Sequence, residues 1–200
     1  ALQLAISVLK LKNQDEVIVP DFTFVAPINA ILHCGAKPVL ADIDNESLCI
    51  SYDSIKKLVS KKTKAVVIVH LYGNTPELEK IVKFCQKRGI KIIEDCAEAF
   101  GTTYKKKHVG KFGDIGTFSF FGNKTITTGE GGAILTNNIQ IYQSSSVNRS
   151  HGIIRSPVNN KRFNGYYEVQ ELAYNYRITD FQCALGSSQL KKLDHFVQNW

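Results

Sequence analysis

One lysine, Lys124, stands among small and hydroxyl-bearing residues in the stretch 122–132, directly after a segment rich in phenylalanine. A lysine in a partly dry pocket gives up its proton more readily, and its free amine can attack a carbonyl carbon to form a Schiff base. The glycines of this stretch permit positive φ angles and close approach of the backbone. The stretch is not a P-loop, because the chain contains no G-x-x-x-x-G-K-[ST] string. Taken alone, a loop lysine is more often an ordinary surface residue.

A carboxylate, Asp95, follows the apolar pair Ile92 and Ile93 at the end of a predicted buried strand. In open α/β sheets, ligands bind where strands end, and a buried carboxylate is unfavourable unless a cation or a strong donor faces it. Position alone leaves two interpretations open, a ligand-facing acid or a helix N-cap. The combination is more informative, since a pyridoxal phosphate site needs a lysine for the Schiff base and a carboxylate that keeps the pyridine nitrogen protonated.

The elements that would position these two residues follow an alternating pattern. Short apolar runs at residues 17–19, 39–40, 65–69 and 92–93 predict buried strands. The clearest helix lies between the last two runs, with Thr75 as the expected N-cap, Pro76 at the first helical position and Gly89 at its end. This alternation predicts an α/β fold with right-handed crossovers and a mainly parallel sheet covered on both faces.

Further elements are expected on both sides of the lysine stretch and at the two ends of the chain. The stretch lies between strand-like runs at 115–121 and 133–136, and residues 144–178 are expected to form an extended loop region. A final helix should start at Thr179 and present one apolar face from Phe181 to Phe196. Because residue 2 already lies in a helical pattern, we expect residues 1–200 to be most of one large domain, truncated at both ends.

The composition excludes several classes of protein. Of the 200 residues, 44% are apolar and 22% are charged, as in globular proteins and unlike disordered chains. No apolar run reaches the roughly 18 to 20 residues of a membrane span. The net charge of +7 favours anionic partners, but no aromatic residues interleave the lysine clusters as in a nucleic-acid groove. Five cysteines without a C-x-x-C pair indicate reduced thiols. We therefore expect a cytoplasmic protein without a metal centre, a membrane contact or a nucleic-acid partner.

Ordered motifs along nearly the whole chain resemble those of the DegT/DnrJ/EryC1/StrS sugar aminotransferases, a group of fold-type I pyridoxal phosphate enzymes. The motifs are DEVIVP at 15–20, FTFVA at 22–26, CGAKPV at 34–39, HLYG at 70–73, ED at 94–95, GDIG at 113–116, FSF at 118–120, NK at 123–124, TTGEGG at 127–132 and NYRITD at 175–180. The resemblance implies a mainly parallel, seven-stranded type of sheet flanked by helices. It also implies a small C-terminal domain that is largely absent from this chain.

The resemblance also implies roles for particular residues. Lys124 would form the Schiff base with the cofactor, and Asp95 would pair with its pyridine nitrogen. Phe24 would stack on the cofactor ring, and Glu98, where many members have glutamine, would lie near the ring. Ser119 would bind the phosphate. Asn175 matches a residue that reaches the phosphate of the other subunit, so a homodimer with a shared site is expected.

Three further residues are candidates for substrate contacts, each with an alternative. His70 and Tyr72 follow a buried strand and could line the pocket, although a hydrogen-bonded core histidine is as good an interpretation of His70. Arg177 could hold the carboxylate of an amino-acid donor or pair with Asp180.

The implied reaction is transamination with L-glutamate as the amino donor. The lysine stretch is similar to that of perosamine synthetases, which aminate a GDP-linked 4-keto-6-deoxy sugar at C4 for lipopolysaccharide O-antigen. Residues 149–153 and 166–172 are more similar to aminotransferases of the pseudaminic acid route, which act on a UDP-linked 4-keto-6-deoxy sugar. Both alternatives share amination at C4. A non-catalytic or regulatory member of the same fold is a third possibility.

Overall fold

The computed structural model describes residues 1–75, 77–154 and 167–199, and its centre is a six-stranded sheet. The strands of this sheet are β1 (Glu16–Pro20), β2 (Lys37–Ala41), β3 (Thr63–Val69), β4 (Lys91–Asp95), β7 (Ile115–Ser119) and β8 (Gly132–Leu135). Two short antiparallel pairs consist of β5 (Thr103–Tyr104) with β6 (Lys107–His108), and β9 (Ile153–Ile154) with β10 (Glu168–Val169). The predicted strands at 17–19, 39–40, 65–69 and 92–93 are all confirmed.

The sheet has the order β2-β1-β3-β4-β7-β8. The four pairs from β2 to β7 are parallel, and only β8 runs antiparallel, against β7. The prediction of a mainly parallel α/β sheet is therefore confirmed. Among the residues that the structure describes, the sheet has six strands and not the expected seven.

Helices cover both faces of the sheet. They are α1 (Leu2–Ser7), α2 (Ala26–His33), α3 (Tyr52–Leu58), α4 (Leu78–Gln86), α5 (Ile139–Asn148), α6 (Asp180–Leu190) and α7 (Leu193–Gln198), with a 3-10 turn at Leu71–Gly73. Within the described ranges, no helix is both long enough and apolar enough to cross a membrane.

Alternate residues of each central strand enter two different cores. In β3, Val67 packs with α1 and α2 on one face, while Val66 and Ile68 pack with α3 and α4 on the other. This is the period-two geometry of a strand that is buried on both sides, and it explains why β3 is an unbroken apolar run from residue 65 to 69.

Three predictions about helices and loops were wrong in part. Helix α4 begins at Leu78 rather than after Thr75, because Glu77 has a φ of 53° and left-handed backbone cannot belong to the helix. Pro76 lies outside the described residues. The extended region expected from residue 144 starts later, since α5 continues to Asn148. Much of that region, residues 155–166, is also outside the described residues.

The final helix does begin as predicted, after a capping box that Thr179 forms with Gln182. It is not one helix, however. Non-helical backbone at Lys192, with φ of −108° and ψ of 6°, separates α6 from α7.

Candidate functional site

The loops that follow four strands meet at one edge of the sheet. Because β1, β3, β4 and β7 are parallel, their carboxyl ends lie on the same edge, where open α/β sheets bind ligands. The loop after β1 carries Phe24, the loop after β3 carries Tyr72, the loop after β4 carries Glu98, and the loop after β7 carries Lys124. The topology thus brings together residues that are up to 100 positions apart in sequence.

Asp95 is the last residue of β4 and is only 6% exposed. Its Oδ1 accepts a hydrogen bond from the backbone N–H of Ala97 at 3.1 Å. Burial raises the pKa of Asp95 to about 6, against the opposing effects of the Ala97 N–H and of the charges at His70 and Lys124. The described chain offers this carboxylate one N–H donor and no ion pair, so it retains acceptor capacity for a donor from a ligand.

Lys124 lies beside Glu98 at this edge. Its Nζ is 3.5 Å from Glu98 Oε1, and its side chain is 18% exposed. The other carboxylate oxygen of Glu98 accepts a hydrogen bond from the backbone N–H of Tyr72 at 3.3 Å. Glu98 therefore ties the lysine loop to the turn after β3, where Tyr72 has an unfavourable φ of 50°.

Threonines fix the loop between Lys124 and β8. Thr127 Oγ1 donates to the carbonyl of Phe120 at 3.0 Å, and the N–H of Thr128 donates to the same carbonyl at 2.9 Å. Thr128 is buried, and its hydroxyl donates to the carbonyl of Glu130 at 2.6 Å. These bonds hold the lysine loop against the end of β7, so the hydroxyl-rich sequence has a structural function as well.

Ser119 ends β7, and its hydroxyl oxygen accepts a hydrogen bond from the N–H of Phe121 at 3.3 Å. Within the described part of the chain the hydroxyl hydrogen has no acceptor, so Ser119 could donate it to a phosphate oxygen.

Four exposed aromatic side chains surround the same edge. Phe24 and Tyr72 are about three-quarters exposed, and Phe22 and Phe121 are about half exposed. Large aromatic side chains are usually buried, and a group of exposed ones marks a surface that binds a partner or a ligand. A flat aromatic ligand would find stacking surfaces here.

His70 does not line the pocket as a substrate contact. It is 1% exposed, and both ring nitrogens have partners, Glu94 Oε2 at 2.9 Å from Nε2 and the carbonyl of Asn74 at 3.2 Å from Nδ1. The alternative interpretation, a hydrogen-bonded core histidine, is the one that agrees with the structure, because no face of the ring is left for a substrate.

Glu94, the partner of His70, was given no role from the sequence. It is fully buried, and it accepts hydrogen bonds from the backbone N–H groups of Gly110, Phe112 and Gly113 at 2.6–2.8 Å. Burial raises the pKa of Glu94, but the hydrogen bonds from His70 and from these N–H groups outweigh burial and lower it overall. An acidic residue inside a buried parallel strand was the signal that could have revealed it.

Asn175 and Arg177 lie in the segment between β10 and α6. Asn175 pairs with Ser150 through an isolated antiparallel bridge, and its Oδ1 accepts a hydrogen bond from the N–H of Arg177. Arg177 Nη1 donates to the hydroxyl of Ser150 at 2.9 Å rather than pairing with Asp180. Arg177 also lines a cavity of about 670 Å³ between α1, β8 and α5. No described contact links Asn175 or Arg177 to Lys124.

The residues at the carboxyl edge match the chemical requirements of pyridoxal phosphate. A buried carboxylate with spare acceptor capacity, Asp95, suits a protonated pyridine nitrogen, and the amine of Lys124 suits an aldehyde. Phe24 offers a ring to stack on, and Ser119 offers a hydroxyl for the phosphate. The donor and acceptor types fit this group.

Comparisons with known proteins agree with this chemistry. The model of the DegT/DnrJ/EryC1/StrS aminotransferase family matches residues 1–199. GDP-perosamine synthase of Vibrio cholerae is 44% identical over 198 residues, which are 99% of this chain and 52% of that protein. The UDP-4-amino-4,6-dideoxy-N-acetyl-beta-L-altrosamine transaminase of Campylobacter jejuni is 39% identical over 200 residues, with 99% of this chain and 51% of that protein covered.

Solved structures give the same result. The X-ray structure of an aminotransferase from Psychrobacter cryohalolentis matches with a TM-score of 0.89 and 36% identity, over 97% of this chain and 50% of that one. The chain spans about half the length of the relatives that it matches.

Proposed function

Because this chain belongs to the DegT/DnrJ/EryC1/StrS aminotransferase family, we propose that it supplies most of the cofactor-binding domain of a pyridoxal phosphate-dependent sugar aminotransferase. The reaction moves the amino group of L-glutamate to C4 of a nucleotide-linked 4-keto-6-deoxy sugar. The observation that carries this proposal is the placement of Lys124 and the buried Asp95 at one edge of the sheet, at the ends of adjacent strands.

Each residue at the edge has a task in this proposal. When bound, pyridoxal phosphate supplies an electron-withdrawing ring that stabilises negative charge on the carbon next to the transferred nitrogen. Asp95 holds the proton on the pyridine nitrogen, and Lys124 Nζ holds the cofactor and moves protons at the amino-bearing carbon. Glu98, 3.5 Å away, orients Lys124 Nζ. Phe24 stacks on the ring and Ser119 binds the phosphate.

Asn175 and Arg177 suggest that the active site is shared. Asn175 and Arg177 are exposed and have no contact with Lys124 among the described residues. We propose that in a homodimer Asn175 reaches the phosphate in the partner subunit and Arg177 binds the carboxylate of glutamate.

A GDP-linked sugar is the favoured substrate. Two relatives named GDP-perosamine synthase, from Vibrio cholerae and Escherichia coli O157:H7, are 44% and 45% identical. A UDP-linked 4-keto-6-deoxy sugar is the second candidate, since the Campylobacter jejuni relative, which is named for a UDP-linked amino sugar, is 39% identical. Amination at C4 for O-antigen is common to the proposal in either form.

The first experiment adds pyridoxal phosphate to the purified full-length protein and records its visible spectrum. We expect an absorption band from the cofactor bound to Lys124 that disappears in Lys124→Ala. Lys111→Ala, which changes an exposed lysine, is the matched control and should keep the band. No band in the wild-type protein, or the same band in Lys124→Ala, would contradict the cofactor assignment.

The second experiment tests the substrate. GDP-linked and UDP-linked 4-keto-6-deoxy sugars are each offered with L-glutamate, and the formation of amino sugar and of 2-oxoglutarate is measured. Amination of the GDP sugar supports the favoured substrate, and amination of the UDP sugar alone supports the second. Inertness toward both would overturn amination at C4.

A further inference from the structure

His70 and Glu94 form a buried pair directly beneath the candidate site. Their side chains are 1% and 0% exposed, and His70 Nε2 is 2.9 Å from Glu94 Oε2. The pair spans two adjacent strands, since Glu94 lies in β4 and His70 follows the last residue of β3. The mechanism proposed above assigns neither residue a role.

The hydrogen bonds of Glu94 indicate that it is a carboxylate. Oε1 accepts from the N–H groups of Phe112 and Gly113, and Oε2 accepts from the N–H of Gly110 as well as facing His70. Three backbone donors on one carboxyl group strongly favour its ionised form.

The acceptors around His70 then determine where its hydrogens are. Nε2 faces a carboxylate oxygen and Nδ1 faces the carbonyl oxygen of Asn74 at 3.2 Å. Neither group can donate a hydrogen, so a ring nitrogen without its own hydrogen would place two lone pairs against each other. Both ring nitrogens therefore carry a hydrogen, and the pair consists of an imidazolium and a carboxylate.

A metal ion is a poor alternative occupant, although Cys96 Sγ lies within 4.8 Å of the ligand atoms of this pair. The lone pairs of Glu94 are already used by four donors. Burial raises the pKa of the Cys96 thiol far above its ordinary value, so the thiolate that a metal would need is disfavoured.

The pair is connected to Asp95 through the backbone. The N–H of His70 donates to the carbonyl of Asp95 at 3.0 Å, and Glu94 is the residue before Asp95. Glu94 also anchors the 110–113 loop, so strand β4 is held on both sides immediately before the site.

We propose that His70 is a doubly protonated histidine whose ion pair with Glu94 positions Asp95 and keeps it ionised for the pyridine nitrogen of the cofactor. His70 is thus a positioning residue, which acts through Asp95 and touches neither substrate nor cofactor. The protonation of His70 stands on the geometry alone, while its effect on cofactor binding rests on the function proposed above.

The charges around Asp95 set the direction of this effect. Three charged groups face Asp95. They are His70 after the end of β3, Lys124 in the loop after β7 and Glu98 in the loop after β4. The positive charges at His70 and Lys124 favour the ionised carboxylate, and the negative charge at Glu98 opposes it. Removing the charge of His70 should therefore raise the pH at which Asp95 takes up its proton.

The first experiment is nitrogen NMR at pH 7 of full-length, cofactor-free protein labelled in its histidine rings. His70→Gln identifies the His70 signals. We expect two protonated ring nitrogens for His70. His108 is an internal control, because its Nδ1 faces the carbonyl of Val109 at 2.7 Å while its Nε2 accepts from the N–H of Gly101 at 2.8 Å, so only one of its nitrogens carries a hydrogen. A singly protonated His70 would overturn the proposal, whatever the enzyme does.

The second experiment measures the affinity of the cofactor-free protein for pyridoxal phosphate between pH 5 and pH 8. In the wild type we expect the affinity to fall as the pH drops through about 6, where Asp95 gains its proton. His70→Gln keeps an N–H donor for Glu94 but has no charge, and it should move this midpoint up by about one pH unit. His33→Gln, at an exposed position on α2, should leave the midpoint unchanged.

The outcomes of the second experiment separate the two proposals. An unchanged midpoint in a folded His70→Gln protein would overturn the positioning role. If His70→Gln does not fold, Glu94→Gln provides the second variant. Because its side chain is neutral, His70 should lose one ring hydrogen, which the NMR spectrum would show. A His70 that keeps both hydrogens in this variant would overturn the proposed ion pair. A wild-type protein that binds no cofactor at any pH would refute the proposed aminotransferase function. The protonation of His70 would still be decided by the NMR experiment.

Discussion

Replacing Asp95 with asparagine should stabilise the cofactor-free protein at neutral pH. Burial raises the pKa of Asp95 from 3.8 to about 6 in the folded state. The unfolded chain has the ordinary value, so between these two pH values the folded state binds the proton more tightly. The contribution of Asp95 to stability therefore falls as the pH rises through this window. Above about pH 6 the ionised carboxylate lowers the free energy of unfolding by the full amount.

The size of this cost follows from the two pKa values. Their difference corresponds to about 3 kcal/mol in the free energy of unfolding at pH 7.5. An asparagine side chain does not titrate, so Asp95→Asn should gain most of this amount, about 2 kcal/mol, on the wild type between pH 4 and pH 7.5, because pH 4 already lies slightly above the pKa of the unfolded carboxyl. Titrating groups that do not interact with Asp95 behave alike in both proteins and cancel in the comparison.

Urea unfolding of both cofactor-free proteins at the two pH values provides the measurement. With a typical urea dependence of about 2 kcal/mol per molar, the midpoint of Asp95→Asn relative to the wild type should rise by about 1 M from pH 4 to pH 7.5. A difference between the two proteins that does not change with pH would refute the reasoning. Added pyridoxal phosphate should reverse the order, because the wild type binds the ligand more tightly and is stabilised in proportion.

Three other substitutions test the fold around the site. Gly116→Ala would place a new Cβ onto the backbone oxygen of Gly110, so we expect a large loss of thermal stability, whereas Gly122→Ala, which has open space around it, should melt like the wild type. Thr179→Ala removes the side-chain cap of α6 and should lower the free energy of unfolding by about 1 kcal/mol in urea titrations. Ser145→Ala removes a buried hydroxyl that has no hydrogen-bond partner among the described residues. Calorimetry should therefore find the stability unchanged or raised by up to about 1 kcal/mol. A clear loss of stability would show that the hydroxyl has a partner in the full protein.

The strands and the edge position of Asp95 could be predicted from the sequence because a doubly buried parallel strand leaves a local signal. Residues 65–69 are an unbroken apolar run, and in the other strands the apolar residues also stand together. The sheet order was not predicted, since it depends on which strands pair across long separations in the chain.

The errors arose where tertiary contacts override local patterns. Thr75 and Pro76 resemble a helix start, but the carboxylate of Glu77 accepts a hydrogen bond from the N–H of Tyr52, and the left-handed backbone of Glu77 delays α4. The partners of His70 likewise come from residues 74 and 94, and sequence alone could not distinguish a pocket residue from a core residue.

The position of the site between β4 and β7 has a consequence for folding. Asp95 and Lys124 come close only after these two strands have paired, and β4 in turn must dock on β3, whose residues are about 26 positions away in sequence. Such non-local parallel pairing forms slowly compared with helices. During refolding, the ability to bind the cofactor should therefore appear after most of the helical signal. Pyridoxal phosphate that is present from the start should bind only molecules whose sheet is complete, and it should not direct the assembly of the sheet.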